Sequence, residues 1–278
     1  MNTPSRPRAT KIICTIGPAT DTSDMLGQLI EAGANVFRLN MSHSKHDWVR
    51  EVVFRIRRKA AELEANVAIL FDLQGPSIRT GDLAEPYHLK KGDTVEIRLG
   101  TAKPELPFST TVNYDGLLQD VQAGHTMVVD NGGILMRIAE VRPDRLICDV
   151  LTEGVFGSRR HINLPGVALR LPALTEKDLA DLAVAVECET DYVAMSFVRD
   201  AAHIAQLREH IDNLGGKAQI VAKIEDQQAV RHIDDIILAA DVIMVARGDL
   251  GIEVSIEELP IIQRRIVRHC HRLGRRCI

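Results

Sequence analysis

The chain has 278 residues, 26% charged and 45% apolar, with a formal net charge of −4. That length can bury one large core or two ordinary ones in a soluble globular protein, and the acidic balance gives no basic stripe for nucleic acid. No apolar run reaches the roughly 18 residues of a membrane span, and the first ten residues place no apolar core behind their positive charges, so neither a spanning helix nor a signal peptide is expected.

The first third alternates two periodicities. "KIICTIG" (11–17) is a short apolar run closed by Gly17-Pro18, as for a buried strand. "SDMLGQLIEAG" sets Met25, Leu26, Leu29 and Ile30 on one helical face and stops at Gly33, a C′ glycine. "NVFRLN" is a second strand, and "DWVREVVFRIRRKAAEL" a second amphipathic helix with Val49, Val52, Val53, Ile56, Ala60 and Leu63 inward. "NVAILFDLQG" is a third strand. Continuous apolar strands alternating with helices predict a parallel sheet covered on both faces.

The pattern changes after Gly75-Pro76. From about 77 to 171 no helix is expected, and "DTVEIRL", "TMVVDNGGILMRIAEV" with a turn at Asn131-Gly132-Gly133, and "RLICDVL" predict an antiparallel β insertion, a small barrel. "LPGVALRLPAL" is the return linker. At 175 the first pattern resumes, with a capping box at Thr175 and Asp178. The strands "DYVAMSF", "QIVAKIE" and "DVIMVARGD" are separated by helices at "AAHIAQLREHIDNLGG" and "QQAVRHIDDIILAA". Ser255 with Glu258 predicts a second capping box, Pro260 suits the first turn that follows, and Asp226 is expected to cap a helix. "RRCI" opens a seventh strand. The fold class is therefore α/β, a (β/α)8 TIM barrel with an inserted antiparallel β-barrel, and an open doubly wound sheet is the alternative. Residues 1–76 and 172–278 are expected to form the barrel and 77–171 the inserted β domain. Because the eight-fold barrel still needs strand eight, the chain is expected to be a truncated form or a fragment of a longer protein. The five cysteines lack a CxxC pair and are expected as buried free thiols in a reducing cytoplasm.

In a (β/α)8 barrel the chemistry sits at the C-terminal ends of the strands. Those ends carry Arg38, Asn40, Ser42 and His43, then Asp72, then Ser196, then Lys223 and Glu225, then Arg247-Gly248-Asp249, with Arg79 just inside the insertion. The opposite ends carry nothing comparable. Glu225 and Asp249 form half a shell for Mg²⁺, which takes one or two carboxylates and completes its octahedron with water and substrate oxygens. Arg38, Arg79 and Lys223 outnumber those two carboxylates, so an anionic substrate, a phosphate or a carboxylate, would complete the balance. Phosphoryl transfer is the chemistry such a set supports. Each residue also has a plain structural reading: an i, i+2 ion pair for Lys223 and Glu225, a turn for Asp249, a solvated Arg79, a capping His43. Their common placement at one end of the barrel is what favours a site. There is no P-loop, no GxGxxG after a strand and no zinc spacing.

Together "KIICTIGPAT", "GANVFRLNMSHS", "DLQGPSIRTG", "GSRRHINLPGVALRLPALTEKD", "AKIED" and "DVIMVARGDLGIE" resemble the pyruvate kinase family over residues 9–278. The resemblance implies phosphoryl transfer from phosphoenolpyruvate to ADP, giving pyruvate and ATP. It implies Mg²⁺ (or Mn²⁺) on Glu225 and Asp249, Lys223 on the phosphoryl group in flight, and the Ala246-Arg247-Gly248 backbone on the substrate carboxylate. Arg38 and Arg79 would bind the transferring phosphate and nucleotide, with His43 and Arg160 at nucleotide-contacting positions. Asn40, Ser42, Asp72 and the Leu73 carbonyl match the family's monovalent-cation site, Asn40 being counted among the nucleotide-binding residues as well. Ser77 stands where potassium-dependent members carry Glu and potassium-independent ones Lys, so K⁺ stays an open expectation. A homo-oligomer, a tetramer in the full-length protein, is implied too, and the inserted β domain, as a lid, is expected to hinge at Gly75-Pro76 and Leu171-Pro172. The alternatives are a Mg²⁺-dependent barrel lyase acting on phosphoenolpyruvate or pyruvate, and a catalytically inactive fragment serving as an interaction module.

Overall fold

The computed structural model describes residues 9–278. The N-terminal stretch read above for a signal peptide therefore lies, through residue 8, outside the described residues. The first part runs β1 (Ile13–Ile16), α1 (Ser23–Glu31), β2 (Val36–Asn40), α2 (His46–Glu62) and β3 (Ala68–Asp72). There follow β4 (Tyr87–Leu89), β5 (Thr94–Arg98), β6 (Ser109–Thr111), α3 (Leu117–Asp120), β7 (Thr126–Val129), β8 (Ile134–Val141), β9 (Arg145–Val150), β10 (Gly154–Phe156) and β11 (Ile162–Asn163). The alternation then resumes with α4 (Glu176–Glu187), β12 (Tyr192–Met195), α5 (Ala201–Asn213), β13 (Gln219–Ile224), α6 (Gln227–Arg231), α7 (Ile233–Ala239), β14 (Val242–Val245), α8 (Arg247–Glu253), α9 (Leu259–Arg272) and β15 (Arg276–Cys277).

Seven strands form one sheet in the order β1-β2-β3-β12-β13-β14-β15, and every pair in it is parallel. The order is sequential, as for successive staves of a barrel, and does not close. The period of two divides its side chains between two cores. Phe37, Ile69, Phe71, Val193, Ile220, Ala222 and Ile243 pack outward with the buried faces of α1, α2, α4, α5 and α7. Leu70, Ala194, Val221 and Val242 form a separate inner cluster, with Val36, Tyr192 and Met244 against it. On α2, Val49, Val52, Val53, Ile56 and Ala60 are the buried set, as the helical spacing predicts.

Between β3 and α4 lies a six-stranded sheet in the order β11-β7-β8-β9-β5-β6, over its own core of Val95, Ile97, Met127, Met136, Leu146 and neighbours. β7 and β8 meet at Asp130-Asn131-Gly132, all at positive φ, so the expected turn is present and begins one residue earlier. The all-antiparallel expectation needs correcting in one place, since β5 and β6 run parallel. Residues 79 and 80 reach both edges of this sheet, Arg79 bridging to His161 beside β11 and Thr80 to Val112 beside β6.

Several local expectations change. The short α3 stands where no helix was expected. The helix over 227–240 is broken at His232, whose ring nitrogen meets the Arg199 carbonyl at 3.1 Å and whose backbone leaves the helical region. The Thr175–Asp178 capping box is complete, and Asp226 caps α6 through the Ala229 N–H. The Ser255–Glu258 box does not form. The Ser255 hydroxyl bonds the Glu258 carboxylate instead, and the N–H groups of Glu258 and Leu259 bond the Ser255 carbonyl. All five cysteines are free, but only Cys148 and Cys270 are fully buried.

Candidate active site

The inner cluster of the parallel sheet sets the register of the site. Two residues beyond Val36, Leu70, Ala194 and Val221, on the same inward side, stand Arg38, Asp72, Ser196 and Lys223. One layer is apolar and the next is ionic. Glu225 follows Lys223 by the same period, just past the end of β13. The step from carbon to charge happens at the C-terminal ends of the strands, where a barrel keeps its chemistry.

Lys223 is 9% exposed and Glu225 is 2% exposed, and the Lys223 Nζ lies 2.7 Å from Glu225 Oε1. It donates a second bond to Ser196 Oγ at 2.7 Å and lies 3.3 Å from Asp72 Oδ1, an oxygen that accepts no hydrogen bond. Glu225 Oε2 accepts from the Phe197 backbone N–H at 2.6 Å. Burial alone would lower the ammonium's pKa, but the charges of Glu225 and Asp72 outweigh it and raise the pKa. Glu225 is pushed up to about 7, by burial first and by the charge of Asp249, against the pull of Lys223. A buried carboxylate that one ammonium fails to satisfy is a place where further positive charge is welcome.

Arg38 is not a free cation. Its guanidinium holds Asp72 Oδ2 at 2.6 Å from Nε and 2.5 Å from Nη2, and donates to Thr15 Oγ1 from Nη1 at 2.9 Å. Asp72 thus serves as counter-ion to both Arg38 and Lys223. Arg79 comes from the inserted unit and is steadied by Ser77 Oγ at 3.2 Å and the Arg159 carbonyl at 3.1 Å. Arg160 pairs with Asp130 at 3.2 Å and leaves its buried Nε without a partner. Asn40 turns its side-chain oxygen to the Ser42 N–H at 3.1 Å.

These groups share one cavity of about 480 Å³, within the usual range for a small-molecule site. Arg38, Asn40, Ser42, His43, Asp72, Leu73, Arg79, Arg160, Lys223, Glu225 and Asp249 all line it. Ala246, Arg247 and Gly248 do not. Ala246 connects β14 to α8 and Arg247 and Gly248 open that helix, so the "RGD" stretch read as a strand end is the first turn of a helix. A larger hollow of about 770 Å³ lies against Pro260, Arg264 and Arg268 on α9 and touches none of these residues.

Over residues 7–278 the chain matches the sequence profile of the pyruvate kinase barrel domain. This chain belongs to the pyruvate kinase family. It is 39% identical over 278 residues to plastidial pyruvate kinase 2 of Arabidopsis thaliana, covering 99% of this chain and 48% of that protein. It is 38% identical over 268 residues to the pyruvate kinase of Clostridium perfringens (strain 13 / Type A), covering 96% and 56% respectively. The pyruvate kinase of Staphylococcus aureus (strain MRSA252) is 36% identical over 271 residues, with 96% and 46% covered. The chain spans about half the length of the curated relatives it matches.

The pyruvate kinase stretches quoted from the sequence supply most of the cavity wall, including Gln74, Arg159 and His161, which were not expected among the site residues, and Asp130, Asn131 and Phe197 line it from outside those stretches. His161 carries a lowered pKa, from burial first and then from the Arg79 charge. Its place beside Arg160 in a basic return loop was the available signal. Phe197 offered none, because it acts through its backbone and a left-handed φ of 55°.

Proposed function

We propose that this chain carries the active site of a pyruvate kinase, moving the phosphoryl group of phosphoenolpyruvate to ADP to give pyruvate and ATP. The observation that supports it most is the convergence of Arg38, Arg79 and Lys223 with Glu225 and Asp249 on a single cavity. Phosphoryl transfer asks for positioning and charge stabilisation rather than covalent chemistry, and three cations around one cavity supply both. Lys223 keeps its proton and sets its positive charge against the phosphoryl group in flight. Arg38, braced by Asp72 and Thr15, and Arg79, arriving from the inserted unit, grip the phosphoryl oxygens from two sides. Asn40, His43, Arg79 and Arg160 face the nucleotide and Asp249 faces the substrate. A role for the Ala246, Arg247 and Gly248 backbone on the substrate carboxylate rests on the family resemblance alone, since these residues do not line the cavity.

Glu225 and Asp249 are the residues that would hold Mg²⁺ (or Mn²⁺), which would supply charge neutralisation for an anionic substrate. Among the described residues no group of three or more His, Cys, Asp or Glu could hold a metal. Two carboxylates are nevertheless what Mg²⁺ takes when substrate provides the rest, and a buried Glu225 facing the like charge of Asp249 suits a cation held by both. Asn40, Ser42, Asp72 and the Leu73 carbonyl would hold K⁺. The unpartnered Asp72 Oδ1 is the acceptor such an ion could use, although Arg38 and Lys223 already balance that carboxylate.

Residues 77–171 act in this reading as a barrel-like lid between barrel segments 1–76 and 172–278. The stitching of both sheet edges by residues 79 and 80 supports closure. Gly75-Pro76 and Leu171-Pro172 are the hinges. The free thiols accord with the cytoplasm, and assembly into a homotetramer rests on the family resemblance alone. The test is pyruvate formation from phosphoenolpyruvate in a coupled assay. Formation that requires both ADP and Mg²⁺ is expected. Pyruvate released without ADP would point to a lyase, and no pyruvate at all would refute the reading.

A further inference from the structure

We propose that the turn after β12, Ser196-Phe197, is a positioning device for Lys223 and Glu225, and that the Ser196 hydroxyl is the positioning residue for the ammonium. The inference rests on the reading that Lys223 acts on the phosphoryl group.

A hydroxyl has one proton and two lone pairs. Ser196 is 3% exposed and commits its proton to the Leu73 carbonyl at 2.8 Å. Only lone pairs remain for Lys223, so the 2.7 Å contact is a bond from the ammonium to the hydroxyl. With a second N–H on Glu225 Oε1 at 2.7 Å, the tetrahedral ammonium has a single direction left for its third. The chemical nature of this acceptor matters. A third carboxylate would cancel the charge that the reaction needs, whereas a neutral hydroxyl holds the nitrogen in place and leaves its charge to the substrate.

The neighbouring residue does the same for the carboxylate. Phe197 adopts φ 55°, a region non-glycine residues seldom occupy, and this aims its N–H at Glu225 Oε2 at 2.6 Å. Both Glu225 oxygens are then directed, one by Lys223 and one by the backbone. The turn is braced from behind by Gly75. A Cβ there would lie 2.9 Å from Phe197 Cδ2 and 3.0 Å from Ser196 Cβ, so only glycine allows the two segments to approach this closely.

The experiment compares the full chain with Ser196→Ala and Ser196→Thr by two readouts. In the first, limiting acetic anhydride at one pH acylates lysines, and mass spectrometry reports Lys223 relative to Lys59 and Lys177. Loss of one hydrogen bond predicts a rise of about threefold to tenfold in relative Lys223 labelling for Ser196→Ala, with the wild-type ratio regained in Ser196→Thr. In the second, Ser196→Ala lowers kcat by about tenfold or more while the KM for phosphoenolpyruvate stays near wild type, and Ser196→Thr recovers most of the loss. An unchanged labelling ratio overturns the proposal, as does a loss confined to KM. Should the unaltered chain form no pyruvate, the kinase reading fails by itself and the labelling ratio still decides the positioning role.

Discussion

Lys223 and Glu225 stand two residues apart, and that spacing alone allows either an ordinary ion pair or a working site. Their surroundings separate the two. Lys223 keeps its charge through Glu225 and Asp72, while the buried Glu225 is repelled by the charge of Asp249. Replacing Lys223 by Met should therefore lower kcat for pyruvate formation by about 10²- to 10³-fold while leaving the far-ultraviolet circular dichroism unchanged. A rate close to wild type would remove Lys223 from the chemistry. Asp178 makes a contrasting case, a fully buried carboxylate with a structural task. It accepts from the N–H groups of Gly75 and Thr175 and from the Thr175 hydroxyl, tying α4 to the turn that follows β3. Asp178→Ala should cost about 2 kcal/mol in a urea titration, because it removes the reciprocal half of the capping box and strands the N–H of Gly75. Pairs such as these were legible in the sequence as spacings, but their partners 100 residues away were not.

Elements were read most surely where one period ran long. α2 and α5 were expected and are present, and so was the parallel sheet, because a continuous apolar strand between amphipathic helices has few other ways to bury itself. Short elements escaped. α3, the break at His232 and the helical start of α8 each depend on a tertiary contact or on one turn of backbone, below the length at which periodicity carries information. At the end of α8, Glu253 is pushed up to about 7, by burial first and by the Asp226 charge next, with Asn163 and the Gly166 backbone opposing. Its folded form thus holds the proton more tightly than an unfolded chain, whose carboxyl sits near 4.5. The resulting stabilisation is complete below that value and is lost as pH rises through about 7. Glu253→Gln should accordingly gain stability relative to wild type between pH 5 and pH 8 in denaturant titrations. A constant difference across that range would count against a shifted Glu253.

The whole molecule pairs a parallel sheet with an inserted β unit, and the return linker between them is held by Arg199. That guanidinium is 9% exposed and donates to the carbonyls of Leu169 and Leu171, at 2.7 Å for the former. Arg199→Met should leave both carbonyls unpaired and speed amide hydrogen exchange across residues 163–171, with little change in α2. Equal exchange in the two proteins would free the linker from this clamp. At this scale the division between sequence and structure has a physical basis. The sequence by itself determined the strand and helix alternation, the insertion after β3, the family, and the list of polar residues at strand ends, because all of these follow from local period and local motif. Only the tertiary structure decided that Asp72 neutralises Arg38, that Arg79 reaches the site from a pair of bridges stitching two sheet edges, and that Ser196 and Phe197 steer Lys223 and Glu225. Those are contacts between separate strands, set by register and burial, and no spacing along one strand encodes them. The stretch "VAKIED" placed a cation and an anion side by side; the turn beside it, brought there by folding, sets the direction in which each one points.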